Sequence, residues 1–191
     1  MAVAYNPQAE CSGTLLLGFL SAAKEYKAII VKLLAQHGIR KPDPAGWYAL
    51  PMWLAVLQAV QDKLGERTLF AFGKRVHENV EWPQGPETIT SVEGGLAVLE
   101  AGYHLNHRLH GEPMFDRATG VIKDGIGHYL LREVGPRRCV MVCDNPYPSE
   151  FDRGLLAGVA RRFALTADVV RDETKPTRKR DGDSCTYIVT W

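Results

Sequence analysis

Three histidines spaced three residues apart, His104, His107 and His110, form the densest run of potential metal ligands in the chain, beside Tyr103 and Arg108. At about 3.6 residues per helical turn the first two are neighbours and the third has rotated to another face. One ion held by all three would require the helix to end near His107, so the run reads as exposed or helix-end histidines. Four cysteines, Cys11, Cys139, Cys143 and Cys185, form no pair at CxxC spacing. Cys139 and Cys143 share one face of a strand, but at about 3.3 Å per residue their backbones stand about 13 Å apart, and they read as core thiols. No nucleophile, base and orienting acid assemble from local spacing. Gly125-Ile126-Gly127 lacks the lysine and the helix start of a phosphate-cradling loop. The pattern assigns no catalytic residue, no metal ligand and no cofactor.

Binding is a different matter. Trp47, Tyr48, Met52 and Trp53 concentrate aromatic and thioether side chains in one block. Such residues dominate cores, and a fold that encloses a small ligand lines its pocket with the same types plus a few polar groups. The expected ligand-binding set is Trp47, Trp53, Phe72, Tyr103 and Tyr129, with Phe70 nearby, around a small hydrophobic or aromatic molecule. The alternative is that these side chains fill the space themselves, as in an assembly or scaffold subunit.

Gly13 to His37 carries apolar residues at spacings of three and four, which predicts a helix, continuous or bent near Ala22 to Lys24 and ended by Gly38. A second helix follows the Trp47 block and ends near Gly65, another covers Thr68 to Val76, and Thr88 to His107 is a third long helical region. Glu81 to Pro86 is a loop. Beyond Gly111 the character changes: Gly127 to Val134 and Arg138 to Asp144 are predicted strands joined by Gly135-Pro136-Arg137, an antiparallel hairpin. Arg138 to Cys143 reads as buried on both faces.

Pro146 and Pro148 stop that strand, and Ser149 is placed to cap a helix starting near Glu150. Phe151, Leu155, Val159 and Phe163 line one side of it, and Gly154 and Gly158 permit close approach of a neighbouring element. A further strand and a polar turn lead to the last strand, where Cys185, Tyr187, Val189 and Trp191 alternate with Thr186, Ile188 and Thr190. The fold class expected is α+β, a helical layer packed on an antiparallel sheet. One domain spans 1–191, mainly helical over about 10–110 and sheet-rich over about 115–191.

The chain has 191 residues, 46% hydrophobic and 24% charged, enough for one domain with a substantial core. Twenty-three basic against 22 acidic side chains give +1, which supplies no drive toward nucleic acid or anionic membrane. The basic run Lys175 to Arg180, bordered by Asp172, Glu173, Asp181 and Asp183, reads as a solvated loop. Met1 to Cys11 lacks a signal-peptide pattern, no apolar run approaches about 20 residues, and the cysteine usage fits a reduced, cytoplasmic protein.

Several motifs, weighty through their order, carry a resemblance. They are Gly13-Thr14-Leu15-Leu16-Leu17-Gly18, Gly46-Trp47-Tyr48, Leu64-Gly65 with Phe72-Gly73, and Gly125-Ile126-Gly127-His128-Tyr129. Asn145-Pro146-Tyr147-Pro148 follows, with Phe151-Asp152 and then Ser184-Cys185-Thr186-Tyr187. In this order they resemble a bacterial subgroup of the ligand-binding fold shared by 4-vinyl-reductase-like domains, phenol-responsive sensory domains, haem nitric-oxide-binding domains and small transport-complex subunits. The resemblance implies a non-catalytic sensory or carrier module with a small apolar molecule between helices and sheet, often a homodimer, coupled to a signalling partner. Leu16, Phe19 and Leu20 are the candidates for a dimer face. A reductase-like enzyme is what the family label would add. Relatives commonly carry a structural zinc, but the corresponding positions are Ser149, Thr177 and Cys185, with Glu173 near a carboxylate position, so no zinc is expected. The haem branch carries Tyr-x-Ser-x-Arg, which this chain lacks, so no haem is expected either.

Overall fold

The computed structural model describes residues 5–83, 85–180 and 182–191; readings that touch 1–4, Gln84 or Asp181 lie outside the described residues. The chain is an α+β fold in which helices pack with two antiparallel four-stranded sheets.

The first sheet was not legible in the sequence. It is built from β1 (Ala9–Ser12), β2 (Trp47–Ala49), β3 (His107–Leu109) and β4 (Glu112–Pro113), in the order β2-β1-β3-β4. Cys11 is paired with Tyr48 on one side and His107 on the other. Between its strands run α1 (Gly13–Ala22), α2 (Lys27–Gln36), α3 (Leu50–Leu64), α4 (Glu66–Val76), α5 (Val92–Ala97) and α6 (Leu99–Leu105).

Local chemistry sets these boundaries. Ser12 caps α1 by accepting from the Leu15 amide at 3.2 Å. Of the two readings of this region, continuous or bent near Ala22 to Lys24, the bent one holds, with a 3-10 turn at Lys24–Tyr26 between α1 and α2. Gly38, at φ 86°, ends α2 while Ile39 N–H returns to Leu34 O. Thr88 to His107, expected as one helical region, is two helices that break at Val98, and His107 already lies in a strand. Gly95 allows α5 to dock, because a Cβ there would stand 2.8 Å from both Val159 and Phe163.

The second sheet follows the sequence expectation closely. β5 (His128–Gly135) and β6 (Arg138–Asp144) form the hairpin, with Arg137 at φ 53° in its turn. β8 (Cys185–Thr190) pairs with β6, and β7 (Asp168–Arg171) forms the edge, giving β5-β6-β8-β7. Between them lies α7 (Ser149–Arg161). Its N-cap is Pro148 rather than Ser149, and no side chain caps it.

The reading of Gly154 and Gly158 as close-approach residues holds. A Cβ at Gly154 would fall 2.2 Å from Phe70 O and one at Gly158 2.1 Å from Lys74 O, while from the other side Gly73 would meet Phe151 O at 2.3 Å. Three glycines thus let the backbones of α4 and α7 touch.

Phe19 is central to the core, edge-on to Trp53 at 4.9 Å and to Phe72 at 5.2 Å. Leu16, Phe19 and Leu20 are therefore buried within the chain. The proposed dimer face is corrected: these side chains complete the chain's own core. No helix among the described residues is long and apolar enough to cross a membrane.

Candidate functional site

Between α6, α7 and the end of α4 lies an apolar cavity of about 50 Å³, lined by Leu99, Tyr103, Tyr129, Tyr147, Phe151 and Leu155 among others. Its walls are fixed by hydrogen bonds rather than by packing alone. Tyr103 Oη donates to Ile126 O at 2.6 Å, tying α6 to the segment that enters β5. His107 Nδ1 lies 2.6 Å from Tyr103 O, and because a carbonyl only accepts, that nitrogen carries the proton. Its Nε2 is then a bare lone pair that accepts from Tyr147 Oη at 2.8 Å. Burial pushes His107 down to about 4, so the ring is neutral at physiological pH.

The mouth is formed by the segment after α4. Trp82 Nε1 donates to His77 O at 3.1 Å, and Asn106 Nδ2 holds that segment to α6 through Glu81 O at 2.9 Å and Gly102 O at 2.8 Å. Beneath the cavity Tyr129 Oη donates to Asp152 Oδ1 at 2.5 Å. Asp152 is fully buried and paired with Arg178, which also donates to Cys143 O at 2.9 Å and Asn145 O at 2.8 Å. Arg178 is thus no part of a solvated basic loop: its guanidinium ties the β6–α7 turn to the loop before β8. At Ser149 and Cys185, where no zinc is expected, Tyr187 Oη donates to Ser149 O and the Arg178 amide donates to Cys185 Sγ.

Burial raises Asp152 to about 6, against the pull of Arg178, whereas the ion pair holds Arg178 above its ordinary value. The two directions oppose each other. The donors that surround Asp152, a phenol and a guanidinium, are those a carboxylate needs, so the ionised pair is the neutral-pH state.

Burial also holds the phenols of Tyr103, Tyr129 and Tyr147 well above their usual range, and the thiols of Cys11, Cys139 and Cys143 above theirs. None of these groups is a ready nucleophile or base at neutral pH. The arrangement can hold a small apolar guest against side chains whose hydroxyls are already paired within the protein.

Of the expected ligand-binding set, Tyr103 and Tyr129 meet at this cavity, their rings 5.2 Å apart. Trp53 and Phe72 stand around Phe19 instead, and Trp47 lies on β2 under the Arg108 guanidinium at 4.7 Å. His107, Tyr147, Phe151 and Leu155 were not assigned to the site from sequence. The Asn-Pro-Tyr-Pro turn that delivers Tyr147 was the available signal. Of the reading of the histidines as exposed or helix-end, the second part holds, since α6 ends at Leu105, and the first is corrected: His104 and His107 are buried, and of the three only His110 is exposed.

Helices packed with two antiparallel sheets, with an apolar cavity between them, define an α+β architecture. The chain shares that fold with H-NOX proteins. It is 18% identical to an H-NOX protein from S. oneidensis in the Fe(II) ligation state, over 94% of this chain and 95% of the other, with a TM-score of 0.65. To an Fe(II) unliganded H-NOX protein from K. algicida it is 16% identical over 94% and 95%, with a TM-score of 0.63. A structure described as probing the function of haem distortion in the H-NOX family is 15% identical over 94% of both chains, with a TM-score of 0.64. No protein-family model and no curated protein matches the chain.

Haem is what these neighbours bring to mind, and the residues here do not fit it as arranged. Cofactor pockets occupy roughly 300–1,000 Å³, against about 50 Å³ in this cavity. Of the two histidines on its wall, His107 has its Nε2 held by Tyr147, and His77, whose buried Nδ1 has no hydrogen-bond partner among the described residues, is packed against Gly158 of α7. Tyr103, Tyr147 and Phe151 occupy the centre, with Tyr147 and Phe151 stacked at 5.3 Å.

Proposed function

We propose that this chain is a non-catalytic sensory or carrier module that takes a small, mainly apolar molecule into the Tyr103–Tyr129–Phe151 cavity. The observation that carries this reading is an apolar cavity between helices and sheet in which His107 and Tyr147, two polar side chains of its wall, already satisfy each other. An apolar guest therefore displaces no needed hydrogen bond. The shared fold with H-NOX proteins supports a binding role, and a place among 4-vinyl-reductase-like relatives belongs to the same proposal.

Size narrows the guest. A cavity of about 150 Å³ takes benzene, so about 50 Å³ suits a molecule of a few heavy atoms; a planar aromatic requires the Trp82 segment or a tyrosine to move. In this reading occupancy is relayed to a signalling partner or to a second copy of the chain.

Ligand-observed NMR with ethylene, propane and toluene tests it. The smaller guests should bind to the wild type and lose binding in Leu155→Trp, which fills the mouth. Absence of binding by all three, or binding unchanged by Leu155→Trp, overturns the proposal.

A further inference from the structure

Beside the cavity, and separate from its lining, Glu100, His104 and His128 each offer a ligand atom, and the three atoms lie within 4.8 Å of one another. Two elements bring them together. Glu100 and His104 are one turn apart on α6, the spacing that puts two side chains on one helix face, and His128 opens β5 opposite them. Glu100 Oε1 stands 2.5 Å from His128 Nδ1, and Glu100 Oε2 accepts from the Tyr129 amide at 2.6 Å. On its far side His128 Nε2 reaches Asp124 Oδ1 at 3.2 Å.

His104 sharpens the case. Its side chain is 0% exposed. Its Nδ1 donates to Glu100 O at 2.9 Å, which leaves Nε2 as a lone pair, and that atom has no partner. A buried acceptor left unsatisfied costs about 1–3 kcal/mol. A metal-bound histidine places one ring nitrogen on the ion and the other on a backbone carbonyl or carboxylate. His104 has the second arrangement and an unpartnered nitrogen on the same ring, and its Nδ1 stands 3.8 Å from Glu100 Oε1. Glu100 and His128 are 17% and 25% exposed, so an ion can enter from solvent.

We infer that Glu100, His104 and His128 form a site for a divalent transition-metal ion. Two imidazoles and a carboxylate select a borderline cation such as Zn²⁺, Co²⁺ or Ni²⁺ over Ca²⁺ or Mg²⁺, which prefer all-oxygen cages. Asp124, on the solvent side of His128, is placed to accept from its Nε2 and so orient that ring. The ion would fasten α6 to the start of β5 next to Tyr129, and so stiffen one wall of the cavity. The inference stands on this cluster alone and does not depend on what the cavity binds.

The test is equilibrium dialysis of the chelator-treated full chain against Co²⁺ and Zn²⁺, with the Co²⁺ absorption spectrum recorded alongside. One ion per chain is expected, with a tetrahedral Co²⁺ spectrum and at least tenfold weaker binding in Glu100→Gln and in His128→Asn. His110→Asn, on an exposed histidine, should leave it unchanged. Circular dichroism of each variant separates lost ligands from lost folding, and His128, partly exposed, is the variant expected to stay folded. No stoichiometric binding to the wild type, or binding that survives the Glu100→Gln, His128→Asn double variant, overturns the site.

Discussion

Gly154→Ala should weaken the fold even though it replaces glycine by the best helix former. The new Cβ would stand 2.2 Å from Phe70 O, 2.9 Å from Lys74 N and 3.0 Å from Phe70 C. All three are backbone atoms, so no rotamer change relieves the contact. Ordinary contact begins at 3.4 Å, and 3.4 less 2.2 leaves α4 and α7 to part locally by about 1.2 Å. A contact this deep against backbone atoms stands at the upper end of the overpacking range, about 2–3 kcal/mol, and the gain in helix propensity returns about 1 kcal/mol. The net expectation is about 1–2 kcal/mol of destabilisation. At about 2 kcal/mol per molar urea that lowers the unfolding midpoint by about 0.5–1 M. Gly94→Ala is the control: its Cβ would meet Ser91 Oγ at 3.4 Å and Ile89 Cγ2 at 3.7 Å, ordinary contacts. It should be neutral or stabilising by up to about 1 kcal/mol. Urea melts of both variants by circular dichroism decide the matter. A Gly154→Ala midpoint equal to or above the wild type refutes the claim that α4 and α7 meet backbone to backbone.

Arg178→Met leaves Asp152 and two backbone carbonyls without their donor, and should cost about 3–5 kcal/mol in urea melts, whereas the exposed Lys175→Met should stay within about 0.5 kcal/mol. Asp152, raised by burial to about 6 from an unfolded value near about 3.9, binds its proton more tightly in the folded state. Its contribution is therefore full below about pH 4 and lost as pH rises through about 6. Relative to Asp152→Asn, which cannot titrate, the wild type should gain stability as pH falls between those limits; a difference that is flat or moves the other way contradicts the assignment. Phe151→Ala should cost about 3–5 kcal/mol and enlarge the cavity enough to admit benzene, detected as a benzene-dependent rise in melting temperature that the wild type does not show.

Legibility followed the range of the interactions involved. α7, β6 and β8 were readable because Phe151, Val159, Tyr187 and Val189 repeat with the period of their element, and the glycines of α7 announced a close crossing. The first sheet was not, because β1, β2 and β3 are three or four residues long, too short for a period to register, and Ser12 finds its partner at Trp47. Arg178 was misread for a related reason. A charge run is judged by its neighbours, but this side chain is defined by Asp152, 26 residues earlier. Tyr103 and Tyr129 were found as aromatic candidates, yet nothing local separates them from Trp53 and Phe72, which occupy the neighbouring core. His104 illustrates the limit most clearly: the three-residue spacing linked it to His107 and His110, whereas the fold links it to Glu100 and to His128 on another element.

Xenon pressurisation of crystals of the chain tests the binding reading most directly, because xenon enters apolar cavities of this size and reports its own position. The account predicts one ordered xenon among Leu99, Tyr103, Tyr129, Phe151 and Leu155, and its loss in Leu155→Trp. Xenon found only elsewhere, or a cavity that stays dark at full pressure, would contradict it.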